Sequence, residues 1–225
     1  MERKLTTIFA SDVVGFSKMM GEDEIRTLNL LKERRLVIDK IINDKNGIIF
    51  GSAGDSVIAE FPSPIKASEA AIAIQSKMKT LNQNKPKTDQ MIFRVGINIG
   101  DVMVSDNNLY GDSVNIAARL EAAAEPEGVC IAKSVFELVS QKLKLSFKPM
   151  GELILKNIDR PVEAYSVAST KNPGRYVQNS GEPQVKAEKA KAGSVAVMLF
   201  KSLSSDEEQA YFCEGFSEDL ISALT

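Results

Sequence analysis

The chain has 225 residues, more than one average domain and too few for two large ones. Hydrophobic residues make up 44% and charged residues 26%, as in ordinary globular proteins, and the formal net charge is −2. This charge supplies no basic field for nucleic acid, and no apolar run is long enough for a membrane span. We therefore expect a cytoplasmic protein whose partners are small molecules or proteins, without nucleic-acid or membrane contact.

The sequence contains no histidine, which excludes acid/base catalysis, catalytic triads and metal sites that depend on His. The two cysteines, Cys130 and Cys213, lack the spacing of a zinc site or of a disulfide framework. Any metal must therefore be held by oxygen atoms, and oxygen ligands suit Mg²⁺ or Mn²⁺.

Hydrophobic periodicity and turn residues predict the elements of the first half of the chain. In chain order these are a buried strand at 5–10, a turn at 11–17, a helix at 22–44, hairpin strands at 48–50 and 57–61, and a helix that begins at Pro64 with Ser63 as its N-cap. Asp12 stands at the exit of the first strand, and Asp55 stands in the hairpin turn.

The second half predicts more strands and two further helices. In chain order we expect a half-buried strand at 93–99, a turn at 100–101, a strand at 102–104, a loop at 106–111, a helix capped by Asp112 or Ser113 and ending near Ala124, a strand at 129–132, a short helix at 134–140, and strands within 145–156 and 162–167. The order β-α-β-β-α-β predicts an α+β fold, a ferredoxin-like core with extra C-terminal elements and helices on one face of a mainly antiparallel sheet.

Composition divides the chain into three parts. Residues 1–168 carry the predicted elements and form the first domain. Residues 169–193 are polar, contain Pro and Gly, and have almost no large apolar side chains, as in a flexible linker. Residues 194–225 again predict a strand and a helix, and the helical pattern continues to the last residue, which suggests a fragment of a longer protein.

Two carboxylates are candidates for metal binding. The predicted topology puts the end of the first strand beside the tip of the hairpin, so Asp12 and Asp55 are able to converge on one cation. Each also has a purely structural explanation, as a turn cap or a hairpin-turn residue. Gly15 and Gly54 would let backbone N–H groups approach an anion closely.

A second candidate group lies in the helix that begins near residue 112. Asn115 and Arg119 are four residues apart and share a helix face, where they suit a negatively charged phosphorus centre. The alternative is a solvated face on which Arg119 pairs with Glu121 or Glu125. Lys156 on its own is an ordinary exposed lysine.

In combination these residues form a specific pattern, because residues 5–168 resemble a class III adenylyl/guanylyl cyclase catalytic domain. Five segments carry the resemblance in the order and spacing of that family: FASDVVGFS at 9–17, GDSVIAEF at 54–61, RVGINIG at 94–100, GDSVNIAARLE at 111–121 and GELILK at 151–156. Each segment alone is weak evidence, whereas all five in this order and spacing are specific, and the resemblance spans about three quarters of the chain.

The resemblance implies a role for each candidate. Asp12, Asp55 and the Val13 carbonyl would bind two Mg²⁺ or Mn²⁺ ions, and the turn through Gly15 and Phe16 would lie beneath the phosphates. From the opposite subunit of a homodimer, catalytic and phosphate-binding side chains would complete each site: Asn115 would orient the ribose, Arg119 would stabilise the α-phosphate, and Lys156 would hold the terminal phosphates.

Three positions depart from the family pattern. Gly51 stands where Lys usually reads adenine or Glu reads guanine, and Asn108 replaces the second base reader. Asn157 stands where Gly usually follows the phosphate-binding lysine. The transfer residues favour a nucleotidyl cyclase. We expect ATP as its substrate and cyclic AMP as its product, because Gly51 lacks the Glu that guanine would need and no Cys stands at position 108. The altered positions leave open a guanylyl cyclase or a catalytically weak dimer that binds nucleotide or regulates a partner.

The segment 194–225 is similar to the opening strand and helix of a TolB-like N-terminal module, which follows cyclase domains in some bacterial proteins. We expect its apolar residues to pack against another surface, either within the same chain or on a neighbouring one.

Overall fold

The computed structural model describes residues 2–51, 54–105 and 108–169 of the chain. Its helices are α1 (Phe16–Glu22), α2 (Glu24–Asp44), α3 (Pro64–Asn82), α4 (Asp112–Ala123) and α5 (Lys133–Val139). Its strands are β1 (Glu2–Val13), β2 (Ile48–Gly51), β3 (Val57–Phe61), β4 (Phe93–Ser105), β5 (Asn108–Tyr110), β6 (Val129–Ala132), β7 (Leu145–Leu153) and β8 (Val162–Ser169).

All eight strands form one sheet, in the order β2-β3-β1-β4-β6-β8-β7, with β5 folded back on β4 as a hairpin. Every pairing is antiparallel except β4 with β6. The longest pairing joins β1 to β4 from Glu2 opposite Val104 to Val13 opposite Phe93, and it places Asp12 directly opposite Arg94. The predicted α+β fold with a mainly antiparallel sheet is therefore confirmed.

Helices cover both faces of this sheet, and the expectation of one helical face is wrong. Successive side chains of a strand point to opposite faces. Phe9 and Val13 of β1 enter the core formed with α2, α3 and α5, whereas Ile8 and Ala10 enter a second core formed with α4. The sequence pattern hid this second face because Gly96, Asn98 and Gly100 of β4, which lie against α4, interrupt the apolar pattern of the strand.

The helix starts follow local chemistry. Ser63 caps α3, its side chain accepting a hydrogen bond from the Ile65 N–H, and Pro64 occupies the first turn, as predicted. Asp23 caps α2 in the same way through the N–H of Arg26. The short helix α1 was predicted as part of a turn, and the left-handed Gly15 at its start (φ 72°) explains how the chain turns from β1 directly into it.

Three further predictions about residues 93–124 are wrong. The chain does not turn at residues 100–101, because β4 continues to Ser105 alongside the full length of β1. The predicted loop contains β5, paired with the end of β4. Neither Asp112 nor Ser113 caps α4; its N-cap is Gly111, at φ 133° and without a side-chain capping bond.

Helix α4 packs unusually close to β4 because two glycines face it. A Cβ atom on Gly96 would lie 2.2 Å from both the Ala117 carbonyl oxygen and the Glu121 nitrogen, and one on Gly100 would lie 2.2 Å from the Ser113 hydroxyl oxygen. Between these glycines, Asn98 donates a hydrogen bond to the Ser113 carbonyl at 3.0 Å. The strand predicted as half-buried is thus covered on both faces along this stretch, where Asn98 is only 5% exposed.

The linker predicted at 169–193 and the module predicted at 194–225 lie outside the described residues, apart from Ser169 at the end of β8, and both stay predictions. In the described part of the chain, no helix combines the length and the hydropathy needed to cross a bilayer.

We predict that Gly96→Ala destabilises the fold by at least about 2 kcal/mol, because the new methyl group meets the backbone of α4 and neither element is free to move. Gly21→Ala is the matched control, since a Cβ there meets nothing within 4 Å and Ala favours the helix by up to about 1 kcal/mol. Urea unfolding of the two variants measures both effects. Equal free energies of unfolding would contradict the close packing of α4 against β4 at Gly96.

Candidate metal and nucleotide site

The ends of β1 and of the β2–β3 hairpin meet at one point, which brings two of the predicted metal ligands together. The backbone N–H of Val13 donates a hydrogen bond of 2.9 Å to Oδ2 of Asp55. Asp12, the neighbour of Val13, is partly buried, as is Asp55. The carboxylates of Asp12 and Asp55 therefore lie at the same end of the sheet, together with the main chain of Val13.

The chain that follows Asp12 forms a tight turn. The N–H of Val14 donates to the Ile92 carbonyl at 2.8 Å, and the Gly15 carbonyl accepts from the N–H groups of Lys18 and Met19. Phe16 is the first residue of α1 and packs against the main core. Gly15 and Phe16 thus lie in the turn that leads from Asp12 and the end of β1 into α1.

Arg94 and Glu121 form the part of this site to which sequence reasoning gave no role. Arg94 binds both oxygens of Asp12, with Nε 3.1 Å from Oδ1 and Nη2 2.6 Å from Oδ2. Nη2 also lies 3.3 Å from Oε1 of Glu121. The signal available in the sequence was the break in the apolar pattern of β4 at Arg94, from which we concluded only that this strand is half-buried.

Negative charge exceeds positive charge at this point. The hydrogen bonds that Arg94 donates to Asp12 raise the pKa of Arg94, so the guanidinium is always charged. Burial, followed by the hydrogen bond with Asp12 and the charges of Asp12 and Asp55, raises the pKa of Glu121 to about 8 despite the nearby Arg94. One guanidinium thus faces three carboxyl groups.

This arrangement fits a divalent cation that is held partly by the protein. Asp12 and Asp55 provide hard oxygen donors, and the surplus negative charge favours a cation. Among the described residues no group of three or more His, Cys, Asp or Glu side chains is arranged to bind a metal ion. A cation here would therefore take its other ligands from the main chain, from water or from a phosphate.

Helix α4 holds Asn115, predicted to orient the ribose, and Arg119, predicted to stabilise the α-phosphate, on the side away from this cluster. Its buried side includes Val114, Ala117 and Glu121, whereas Asn115 and Arg119 are exposed. Within the described residues the Arg119 side chain makes no ion pair, since Glu121 faces Arg94 instead. The structure does not bring Asn115 and Arg119 together with Asp12 and Asp55 in one chain.

Lys156 is also exposed, in the turn that follows β7. The next residue, Asn157, has φ 62°, a left-handed conformation that Gly adopts freely and that Asn tolerates better than most residues. Asn157 therefore adopts a backbone turn that a Gly at this position would also make.

The two positions predicted to read the base, Gly51 and Asn108, lie on strands that contact each other. The pairing of β2 with β3 shifts register between Ile49 and Gly51, so that Gly51 lies opposite Ile58. Asn108 begins β5, opposite Ser105. Strands β2 and β5 are in contact, and Phe50 and Leu109, the neighbours of these two positions, belong to the same apolar cluster.

We predict that Glu121 makes stability depend on pH. Its pKa is raised in the fold, so its contribution is fully present below about pH 4.5 and is lost as the pH rises through about 8. Urea unfolding with a chelator should show wild type losing at least about 1 kcal/mol more between pH 5 and pH 8 than Glu121→Gln, since one pKa unit is about 1.4 kcal/mol. Glu125→Gln, at an exposed position past α4, controls for the lost charge and should follow wild type; parallel profiles for all three proteins would refute this role.

Comparison with known proteins shows the family of the chain and its fold. Residues 2–169 match the sequence profile of the family described as "Adenylate and Guanylate cyclase catalytic domain". The chain is 38% identical over 229 residues to the protein named "Putative adenylate cyclase 3" of Rhizobium meliloti (strain 1021), a match that covers 100% of this chain and 38% of that protein. The chain thus spans less than half the length of this relative.

Two solved structures share the fold. One is the adenylate/guanylate cyclase/hydrolase from Silicibacter pomeroyi, with 35% identity, a TM-score of 0.70, and coverage of 73% of this chain and 96% of that one. The other is the adenylyl cyclase CyaB from P. aeruginosa, with 26% identity, a TM-score of 0.67, and coverage of 76% and 97%. The chain belongs to the adenylate and guanylate cyclase catalytic domain family.

Proposed function

We propose that this chain is an adenylate cyclase, a phosphorus-oxygen lyase that forms 3′,5′-cyclic AMP and pyrophosphate from ATP in a cytoplasmic homodimer. One observation carries the proposal: the Val13 N–H binds the Asp55 carboxylate at 2.9 Å and thereby places Asp55 beside Asp12. Membership of the cyclase family supplies the reaction class.

Asp12, Asp55 and the Val13 carbonyl would hold two Mg²⁺ or Mn²⁺ ions. When bound, these ions would lower the pKa of the ribose 3′-hydroxyl and neutralise the triphosphate. The excess of carboxyl groups over guanidinium groups around Asp12 supports a cation at this position. The turn through Gly15 and Phe16, directly beside Asp12, would lie under the phosphates.

The cyclisation forms one bond and breaks another. The ribose 3′-oxygen bonds to the α-phosphorus, its proton leaves to solvent, and the bond from the α-phosphorus to the bridging oxygen breaks as pyrophosphate departs. Arg119 would bind the charge that develops on the α-phosphate, Asn115 would orient the ribose, and Lys156 would hold the terminal phosphates. Asn115 and Arg119 lie one helical turn apart on α4 and are thus able to contact the same ligand.

The proposal requires a dimer with composite sites. Asn115, Arg119 and Lys156 are exposed, and α4 turns its other side towards the carboxylate cluster. In a two-fold symmetric pair, the exposed face of one subunit would meet the Asp12 and Asp55 end of its partner, giving two equal sites.

Base recognition is expected to be weak. Gly51 offers no side chain to the base, and this removes the acceptor that guanine would need as well as the donor that adenine would need. Asn108 then remains the main reader, since its amide is able both to donate to adenine N1 and to accept from the 6-amino group. ATP is therefore the better substrate by a small margin.

A catalytically weak nucleotide-binding or regulatory dimer is the second candidate, and Gly51 is the observation that favours it. The second departure, Asn157, supports it less, because the residue keeps the left-handed turn after Lys156.

In an assay with Mn²⁺ and equal ATP and GTP, we expect cyclic AMP as the main product with a preference of roughly tenfold, the discrimination typical of one neutral hydrogen-bonding group. Asp55→Asn should abolish turnover without loss of folding, because it removes a negative charge from a repulsive cluster. Product analysis by chromatography measures both effects. Cyclic GTP as the main product would overturn the adenylate assignment, and no product from wild type would favour the weak dimer.

Mixing two inactive variants tests the composite site. Asp55→Ala and Arg119→Ala should each be inactive alone, whereas their heterodimer should contain one intact site and recover up to about half the wild-type turnover per dimer. Asp55→Ala mixed with Asp12→Ala is the matched control, because both changes fall in the same half-site and every site in that mixture stays defective. Absence of recovery in a heterodimer that has been isolated by two affinity tags would refute shared sites.

A further inference from the structure

Arg94 makes the most complete set of contacts in the carboxylate cluster, although the proposed mechanism assigns it no role. Its side chain and that of Asp12 are each 23% exposed. Nε and Nη2 bind the two Asp12 oxygens in parallel, at 3.1 Å and 2.6 Å. This two-point geometry fixes the plane of the Asp12 carboxylate as well as its position.

The guanidinium is itself anchored on its other side by α4. Nη1 donates a hydrogen bond of 3.0 Å to the Ala122 carbonyl, and Nη2 lies 3.3 Å from Oε1 of Glu121. These partners are within reach because Gly96, two residues along β4, lets the backbone of α4 approach the strand. The orientation of Asp12 is therefore set by the packing of α4 on β4, through Arg94.

The two parallel hydrogen bonds from Arg94, which we call the fork, still leave Asp12 able to bind cations. An ionised carboxylate offers about four lone-pair sites, and Arg94 uses one on each oxygen. A divalent cation on the remaining sites would lie close to a permanent positive charge, and that charge would weaken its binding. Arg94 would thus have two separable effects: it orients the ligand, and it lowers the affinity of the site for the cation.

We propose that Arg94 is a positioning residue that holds Asp12 in the orientation needed for turnover and limits divalent-cation affinity through its charge. This inference rests on the proposed function, since it takes Asp12 as a cation ligand. The alternative is that Arg94 only ties β4 to α4, in which case its loss would lower stability without changing cation affinity in the folded protein.

Two substitutions separate the two effects. Arg94→Lys keeps the charge and loses the fork, so Mn²⁺ affinity should stay within about twofold of wild type while kcat falls at least about tenfold. Arg94→Gln loses both, so Mn²⁺ should bind about three- to tenfold more tightly while kcat falls to a similar extent. Lys45→Gln is the matched control, because Lys45 is a partly buried cation in a 2.8 Å ion pair with Glu69, in another part of the fold, and should change neither quantity.

Mn²⁺ affinity is measured on the full 225-residue chain without nucleotide, from the free Mn²⁺ signal in electron paramagnetic resonance, with circular dichroism as the check on folding. Unchanged or weaker Mn²⁺ binding in Arg94→Gln, or an unchanged kcat in Arg94→Lys, would overturn the inference. If Arg94→Gln does not fold, Arg94→Lys decides the question through its kcat and its Mn²⁺ affinity.

The same titration separates this inference from the function on which it rests. If wild type binds Mn²⁺ and Asp55→Asn does not, the cation site stands and the Arg94 variants alone decide the inference. If wild type binds no Mn²⁺, the cation site itself is refuted, and the role of Arg94 is refuted with it.

Discussion

The close contact between α4 and β4 is the constraint on which the candidate site depends. Backbone meets backbone at Gly96, where any side chain would overlap α4. This approach brings the end of α4 within reach of Arg94, which in turn holds Asp12. The same contact decides which side of α4 is buried and leaves Asn115 and Arg119 exposed. The packing of α4 on β4 thus orients the Asp12 carboxylate through Arg94 on one side of the helix. On the other side it leaves Asn115 and Arg119, the two candidates for nucleotide binding, exposed.

The sheet supplies the second half of this arrangement. Strand β1 lies between β3 and β4, so its end meets both the β2–β3 hairpin and the start of β4. Asp55 reaches Val13 across the first boundary, and Arg94 reaches Asp12 across the second. Residues that are 82 positions apart in the chain, such as Asp12 and Arg94, become partners because antiparallel pairing aligns them in register. A local cluster of charge is therefore built from long-range strand pairing, and it exists only in the folded chain.

Much of this fold was predictable from the sequence because its elements carry local signals. Alternating or helical hydrophobicity and the cap at Ser63 predicted most strands and helices. The failures share a cause: Gly100 was interpreted as a turn and the strand that contains Arg94 as half-buried, because both residues interrupt the apolar pattern. Their real reason is tertiary, since each faces α4. The convergence of Asp12 with Asp55 followed from topology, whereas no local pattern places Glu121 beside Arg94.

The cluster of Asp12, Asp55, Glu121 and Arg94 lowers the free energy of unfolding, because it gathers carboxyl groups that repel one another when ionised. Three carboxyl groups share one guanidinium, and burial with neighbouring negative charge raises the pKa of Glu121 to about 8. A protein selected only for stability would gain by replacing Glu121 with an apolar residue, because a buried carboxyl group loses its hydration even where it stays protonated, below about pH 8. Retention of locally unfavourable groups is typical of functional sites, where stability is exchanged for preorganised chemistry. Arg94 reduces the repulsion within the cluster, because it is held by the Ala122 carbonyl of α4 and its charge offsets that of Asp12. Because a divalent cation would bind the same Asp12, the electrostatic strain of the cluster and its proposed affinity for cations have one physical origin.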